Sequence, residues 1–163
     1  FVLEDDYSFG IIQSNYHWQW FIAKCTTLGT TPNYNSASIW NTFPFPQNPT
    51  EKQVQAVAKA ALALRQARTT AMQKSKLSFR DLYRLLEQPG KNPIKDLHQA
   101  LDKAVREAYG FAKGSDILTE LLALNQAIHQ REEQGLQVQA PGLPSFIKNP
   151  QDYVSNDCIE WQG

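Results

Sequence analysis

The sequence predicts a mainly α fold: a helical bundle of about four helices, preceded by a small α+β segment and followed by an extended tail. Three observations predict it. Apolar residues recur at helical spacing through most of residues 50–134. Residues 1–46 combine a helical aromatic run with polar and strand-like stretches. Proline and polar residues dominate after residue 135, a composition typical of a tail that wraps over other elements.

The first 46 residues are predicted to hold one aromatic helix between strands and loops. The helix covers residues 7–27, because Phe9, Ile12 and Tyr16 recur at helical spacing. Gly10 weakens a helix, so we expect a closely packed neighbour at that position. The flanking elements are a strand at 1–3, a helix stop at Gly29, a polar loop at 30–38 and a short strand at 39–42.

Residues 33–49 are the stretch around which the two parts of the chain are organised. At its centre, residues 43–46 read Phe-Pro-Phe-Pro. Proline fixes φ and restricts the residue before it, so this run predicts a stiff, extended joint. Its two rings must leave water, and we expect both to be buried between the first segment and the helices.

Four predicted helices follow this joint. Thr50 and Gln53 form a capping box at the start of the first, which runs to about Gln73. The others are residues 79–88 capped by Ser78, 93–109 opened by Pro93 and stopped by Gly110, and 117–133 capped by Ser115 or Asp116. The predicted inner face of the last helix is Leu118, Leu121, Leu122, Leu124 and Ile128, and the predicted tail anchors are Leu143, Phe146, Tyr153 and Ile159.

Charge and composition exclude several classes of protein. The 163 residues carry 16 Lys plus Arg and 16 Asp plus Glu, so bulk charge cannot drive nucleic-acid binding, although a local basic face can. No apolar run of about 18 residues is present, so we expect no membrane span. The two cysteines, Cys25 and Cys158, lie far apart in the sequence, so we expect no disulfide framework. A zinc site would need more Cys or His ligands at short spacing than the sequence offers. The chain opens in an apolar run without a leader, as a fragment of a longer cytoplasmic protein would.

No catalytic constellation is recognisable in the sequence. A glycine-rich phosphate loop, a nucleophile elbow and a cluster of metal ligands are all absent from it. His17, His98 and His129 each lie alone in a helical pattern, and we interpret them as surface or hydrogen-bonded histidines. We interpret both cysteines as packing residues. A small free-standing enzyme is therefore the weakest hypothesis, and no catalytic, cofactor-binding or metal-binding residue is predicted.

Two groups of residues are candidates for contact with DNA. A cluster of cations surrounds the joint between the first two long helices, which suits phosphate contact. On sequence alone, solvated helix ends are the favoured interpretation. The loop at 30–38 offers amides and hydroxyls of the kind that read base edges, although an ordinary turn has the same composition. The phosphate candidates are Lys74, Lys76, Arg80 and Arg84, and the base-reading candidates are Asn33, Asn35, Ser36 and Ser38.

Motifs spread over nearly the whole chain carry a family resemblance. Residues 9–14 with Trp18 and Trp20 resemble the last helix of a target recognition domain, and residues 41–46 resemble its closing Phe-Pro-aromatic-Pro signature. Residues 81–83 and 98–110 resemble a helical C-terminal domain, and 121–125, 142–146 and 157–159 its tail. The family is the Mme-type (type IIL, within type IIG) restriction–modification enzymes and related class I S-adenosylmethionine-dependent DNA adenine methyltransferases.

The resemblance implies a domain organisation and a function. Residues 1–46 would end the target recognition domain, 47–134 would be the C-terminal helical domain, and 135–163 a tail packed on it. The parent would methylate adenine N6 at a defined DNA sequence in restriction–modification or phage defence, in the bacterial cytoplasm. S-adenosylmethionine and the catalytic motif would belong to an upstream methyltransferase domain of the same chain. This part would recognise and clamp double-stranded DNA without catalysing anything, and no membrane would be involved.

The chain departs from the family at one informative place. The stretch before the Phe-Pro signature often carries an Arg beside an aromatic residue in the family, whereas residues 33–35 here are Asn-Tyr-Asn. Asn pairs with adenine N6 and N7, so the loop is expected to read adenine or to contact phosphates only. The alternative is a helical protein-interaction module without DNA contact, in which charge reversal of the basic cluster would leave DNA binding unchanged.

Overall fold

The computed structural model describes residues 4–28, 31–35, 37–76, 78–87 and 89–159, and this part of the chain is mainly helical, as predicted. The described residues form six α-helices, one two-stranded sheet and one 3₁₀ turn. The elements are α1 (Asp6–Gln13), α2 (Asn15–Lys24), β1 (Thr26–Leu28), β2 (Thr31–Asn33), α3 (Glu51–Ser75), α4 (Phe79–Glu87), α5 (Pro93–Tyr109), α6 (Ile117–Glu133) and the 3₁₀ turn Pro150–Tyr153.

The single helix predicted over residues 7–27 is wrong, because the chain breaks at Ser14 into α1 and α2. Ser14 has extended backbone angles, and its hydroxyl donates to the carbonyl of Ile11 at 2.7 Å. The backbone N–H of Asn15, at the start of α2, donates to Oδ1 of Asp102 on α5 at 2.8 Å. A side chain from a distant helix therefore caps α2, and apolar spacing along the sequence carries no trace of that contact.

Residues 26–28 and 31–33 form the two strands of a hairpin, where the sequence predicted a helix end followed by a loop. β1 and β2 pair antiparallel, with Thr26 opposite Asn33. The strand predicted at 39–42 is also wrong: these residues form a tight turn, in which Ile39 N–H donates to the carbonyl of Asn35 at 2.9 Å. The predictions of a strand at 1–3 and of a helix stop at Gly29 lie outside the described residues.

Helix α3 is the centre of the packing, and it lies against α1 and α5. The predicted capping box is present: Oε1 of Gln53 accepts from the backbone N–H of Thr50, and Oγ1 of Thr50 accepts from the backbone N–H of Gln53. A Cβ on Gly10 would lie 2.7 Å from Cγ1 of Val57, so the predicted close neighbour of Gly10 is α3. The buried stripe of α3 is Val54, Val57, Ala58, Ala61, Leu64 and, unpredicted, Arg68.

The Phe-Pro-Phe-Pro joint is buried, as predicted. Phe43 and Phe45 are 3% and 2% exposed, and their ring centroids lie 5.9 Å apart. The hydroxyl of Tyr109 on α5 donates to the carbonyl of Pro44 at 2.8 Å. Nδ2 of Asn125 on α6 donates to the carbonyl of Thr42 at 2.8 Å. Proline has no backbone N–H to donate, so this run cannot pair its backbone as a strand would. Side chains of two different helices satisfy the carbonyls of Thr42 and Pro44 instead.

Helix α6 buries less of its apolar face than the sequence predicted. Leu121 is fully buried, whereas Leu122 is 41% exposed and the other predicted inner residues are only partly buried. Helix α6 packs mainly on α2 and the joint, which cover one narrow strip of it. The leucine spacing therefore overstates how much of this helix is covered.

The tail packs over α1 and α3 through a few anchors. Tyr153 is buried as predicted and Leu143 is half-buried, but Phe146 and Ile159 are exposed, and Ile147 and Pro144 are buried instead. A polar cluster completes the attachment. Asp6, 4% exposed, accepts from Nη1 of Arg65 at 2.9 Å and from the hydroxyl of Ser155 at 3.0 Å. Polar groups thus attach the tail where apolar anchors are sparse.

Candidate nucleic-acid interface

Tyr34 attaches the end of the hairpin to helix α2. Its hydroxyl lies 3.2 Å from Nε2 of His17, and its ring stacks on Phe21 with centroids 5.5 Å apart and planes 26° from parallel. His17 in turn packs edge-on against the buried ring of Phe43, at 5.0 Å. Helix α2 therefore holds Tyr34 in place, and the exposed residues Asn33 and Asn35 lie on either side of it in the chain.

His17 is neutral in this arrangement. Burial lowers the pKa of His17 to about 4, and a backbone hydrogen bond to Ile12 opposes the shift. A neutral imidazole has one donor and one acceptor nitrogen, so it serves both the backbone and the Tyr34 hydroxyl. His17 acts as a structural support for the loop and lies behind it.

The base-reading candidates occupy different settings. Asn33 is exposed at the end of β2, and its side chain has no hydrogen-bond partner among the described residues. Oδ1 of Asn35 accepts from the backbone N–H of Ala37 at 2.9 Å, and the hydroxyl of Ser38 donates to the carbonyl of Asn35 at 3.4 Å. Asn35 and Ser38 thus build the turn, while no described residue occupies the side-chain amide of Asn33. Ser36 lies outside the described residues.

The phosphate candidates are all exposed around the turn between α3 and α4. Lys74 lies in the last turn of α3, and Lys76 follows with a left-handed backbone, φ 50°. Arg80 and Arg84 are four residues apart on α4 and therefore share one side of it. Arg84 lies 4.0 Å from Asp81, whereas Lys74, Lys76 and Arg80 have no ion pair within the described part of the chain.

Beneath this basic turn lies Arg68, which sequence reasoning missed. Arg68 is 5% exposed, and burial lowers its pKa. Nη1 donates to Oε1 of Gln13 at 2.8 Å, and Nη2 lies 3.1 Å from Nε2 of His98. Burial, and then the guanidinium charge, lower the pKa of His98 to about 4. A charged Arg with a neutral histidine partner joins α1, α3 and α5.

An open cleft lies over this group, between α1–α2 on one side and α4–α5 on the other. Its volume is about 490 Å³. We call it the α2–α4 cleft; the lining residues that matter here are Gln13, Asn15, Trp18, Phe79, Tyr83 and His98. Trp18 and Phe79 are 57% and 52% exposed. A cleft of this size with aromatic and amide side chains suits a small planar ligand or a nucleotide.

One signal in the sequence could have revealed Arg68. Val54, Val57, Ala61, Leu64 and residue 68 follow one another at spacings of three and four, so position 68 continues the buried stripe of α3. The exposure of Trp18 and Phe79 had no such signal, because aromatic residues at helical spacing are usually buried.

The described residues offer no cluster of side chains suited to a metal ion. They contain no group of three or more His, Cys, Asp or Glu side chains placed to hold a metal ion. Asn92, which precedes Pro93, uses its side chain to cap α5, accepting from Ile94 N–H at 2.9 Å. Over the same described ranges, the helices are too short or too polar to span a bilayer.

Comparisons with known proteins find a similar family and a similar solved structure. Residues 1–47 match the family model described as the MmeI target recognition domain. A solved structure of the Type IIL restriction–modification enzyme MmeI in complex with DNA is similar to this chain, with a TM-score of 0.67 and 29% sequence identity. The similar region covers 77% of this chain but 16% of the MmeI chain, so it spans a small part of that enzyme. No curated protein matches this chain.

Proposed function

We propose that this chain, whose residues 1–47 are a fragment of an MmeI-type target recognition domain, reads DNA sequence within a restriction–modification enzyme. The supporting observation is the exposed hairpin end, which Tyr34, His17 and the buried joint hold in one orientation. Rigid support suits direct readout, because bidentate contacts to base edges require a fixed side-chain position.

Asn33 is the residue that reads a base. Pairing with adenine needs both amide atoms, one accepting from N6 and the other donating to N7. Neither amide atom of Asn33 has a partner among the described residues, whereas Asn35 uses its side-chain oxygen to hold the turn through Ala37. Ser38 likewise serves the turn. Of the two asparagines, only Asn33 therefore suits bidentate readout of adenine.

The basic turn between α3 and α4 contacts phosphates. Lys74, Lys76 and Arg80 are exposed cations without ion pairs in the described residues, so no internal partner competes with phosphate. Each phosphate contact steepens the dependence of log Kd on log salt by about 0.9. Because the chain is neutral overall, this local turn would supply much of the electrostatic attraction that the chain offers.

The wider activity belongs to the same proposal. The parent enzyme would transfer a methyl group from S-adenosylmethionine to adenine N6 in double-stranded DNA, in the bacterial cytoplasm. An upstream domain of the same chain would carry the cofactor and the catalytic residues. The described part of this chain would position the duplex by holding phosphates and reading one base pair.

Asparagine-to-aspartate substitutions in the full-length protein test the base-reading role. Methylated sites are mapped by sequencing after incubation with genomic DNA and S-adenosylmethionine. We expect Asn33→Asp to change or relax one position of the recognition sequence. Asn35→Asp is the matched control, because a carboxylate can still accept from Ala37 N–H and keep the turn. Active Asn33→Asp enzyme with an unchanged recognition sequence would refute base reading by Asn33.

Charge reversal tests the phosphate contacts separately. Lys74→Glu, Lys76→Glu and Arg80→Glu should each reduce the salt slope of duplex binding by about one unit or more. Lys148→Glu, an exposed change in the tail, is the matched control and should leave the slope within about half a unit of wild type. Salt slopes equal to that of wild type in all four variants would favour a protein-interaction module.

A further inference from the structure

The proposed function uses the loop around Asn33, called here the recognition loop, and the basic turn between α3 and α4. It assigns no role to the α2–α4 cleft. Its two aromatic walls, Trp18 and Phe79, expose more than half of their surface, although large aromatic side chains are usually well buried. Exposed aromatic residues beside a concave surface commonly mark a binding site.

The two walls are held in fixed orientations. The guanidinium of Arg68 lies 5.6 Å from the centroid of the Phe79 ring, and Tyr83 packs against the same ring at 4.8 Å. Trp18 packs on Phe21 at 5.3 Å. An immobilised ring loses little entropy when a planar group stacks on it, so these walls are suited to stacking.

The cleft also presents unused hydrogen-bonding groups. The side-chain amide of Asn15 has no partner among the described residues. Oε1 of Gln13 accepts from Arg68, which leaves the Gln13 amide NH₂ available as a donor. Amides that offer a donor and an acceptor complement the edge of a nucleobase.

Proteins that bind an unstacked nucleotide place its base on an aromatic side chain, and Trp18 and Phe79 offer two such surfaces in one cleft. Asp102 also lines the cleft, and its Oδ1 accepts from the backbone N–H of Asn15 at 2.8 Å.

The cleft is also continuous with the recognition loop. Tyr34 stacks on Phe21, and Phe21 packs against Trp18, so a row of aromatic side chains runs along α2 from the hairpin end to the cleft. A duplex held at Asn33 would therefore lie near the entrance of the cleft.

We propose that the α2–α4 cleft binds a single unstacked DNA nucleotide, with its base against Trp18 and Phe79 and its edge toward the amides of Gln13 and Asn15. This inference rests on the proposed function, since it assumes that the chain contacts DNA. It adds a nucleotide site that is separate from the base-reading loop.

Binding of two DNA probes by the full-length protein tests this inference. One probe is a fully paired 20-base-pair duplex, about two turns of DNA, and the other is the same duplex with one unpaired adenine at its centre. Wild type should bind the bulged duplex about tenfold more tightly, since stacking of one base on an aromatic side chain supplies a factor of this order. Trp18→Ala and Phe79→Ala should each reduce that ratio about fivefold. Phe146→Ala, an exposed aromatic of the tail, is the matched control and should leave the ratio unchanged.

The outcomes separate the two proposals. Equal affinity of wild type for both probes, with normal binding of the paired duplex, would overturn the nucleotide site and leave the proposed function intact. Failure to bind either probe would overturn both. Hydrogen exchange gives a further check: if residues 15–18 and 79–83 are already protected without DNA and DNA adds nothing, a protein segment fills the cleft and the inference fails.

Discussion

Nε2 of His17 lies 3.2 Å from the hydroxyl of Tyr34, and this contact joins helix α2 to the hairpin end that carries Asn33. The contact is supported from behind by the buried ring of Phe43, 5.0 Å from His17. His17 thus joins three separate segments within residues 1–47. Loss of its hydrogen bond to Tyr34 should loosen the loop without unfolding the helical bundle.

We therefore predict that His17→Phe loosens residues 31–35. The change keeps the ring but removes the hydrogen bond, which costs about 1 kcal/mol of unfolding free energy. Hydrogen exchange of 31–35 should become faster, while exchange in α3 should stay close to wild type. His129→Phe is the control, because His129 is exposed and lies on α6, away from Tyr34, with its Nε2 3.5 Å from Glu133. Unchanged exchange in the loop would show that Tyr34 is held by stacking alone.

The stability of the protein should fall below neutral pH because of His17. The pKa of His17 is about 4 in the folded state and about 6.5 when unfolded, so the unfolded state binds the proton first. The contribution of neutral His17 is present above pH 6.5 and is lost as pH falls toward 4. At pH 5 we expect a loss of roughly 2 kcal/mol relative to pH 7.5.

Urea unfolding at the two pH values measures this loss. The control is His17→Phe, which cannot be protonated and should show a smaller difference between pH 7.5 and pH 5. Burial also lowers the pKa of His98, so part of the pH dependence should remain in the variant. An identical difference in wild type and variant would contradict a neutral His17.

Gly10→Ala should destabilise the protein although alanine favours helices. The added methyl group would lie 2.7 Å from Cγ1 of Val57 and 3.1 Å from Cβ of Ala61. Overpacking of this kind costs about 1–3 kcal/mol, more than the gain of up to about 1 kcal/mol from helix propensity. Thermal unfolding of Gly10→Ala, Val57→Ala and the double variant forms a cycle. The double variant should be more stable than additivity predicts.

Arg65→Gln should release the tail. Asp6 would keep its hydrogen bond from Ser155 but lose the guanidinium that lies 2.9 Å away, which leaves a buried carboxylate without its cation. We expect a loss of about 3 kcal/mol and faster proteolysis between residues 150 and 159. Lys59→Gln, on an exposed side of the same helix, is the control. Slow cleavage in both variants would mean that Tyr153 and Ile147 hold the tail alone.

The sequence predicted the long helices well and the first segment poorly. Helix α5 begins at Pro93 and is followed by Gly110, as its start and stop signals indicate. In α3, the capping box predicts the start of the helix, and the apolar positions at spacings of three and four predict most of its buried face. The break at Ser14 depends on Asp102, which lies 87 residues from Asn15, so local spacing could not reveal it.

The candidate site divides in the same way. The sequence by itself determined which side chains are available: exposed cations around residues 74–84, amides at 33 and 35, and a stiff joint at 43–46, since charge, amide chemistry and fixed φ angles belong to the residues themselves. Only the tertiary structure decided which of them are free. Asn35 is used by its own turn, through the backbone N–H of Ala37 two residues further on. Arg68 is buried beneath Phe79 and His17 supports Tyr34, because these contacts form between separate elements that meet only when the apolar faces of the helices are buried.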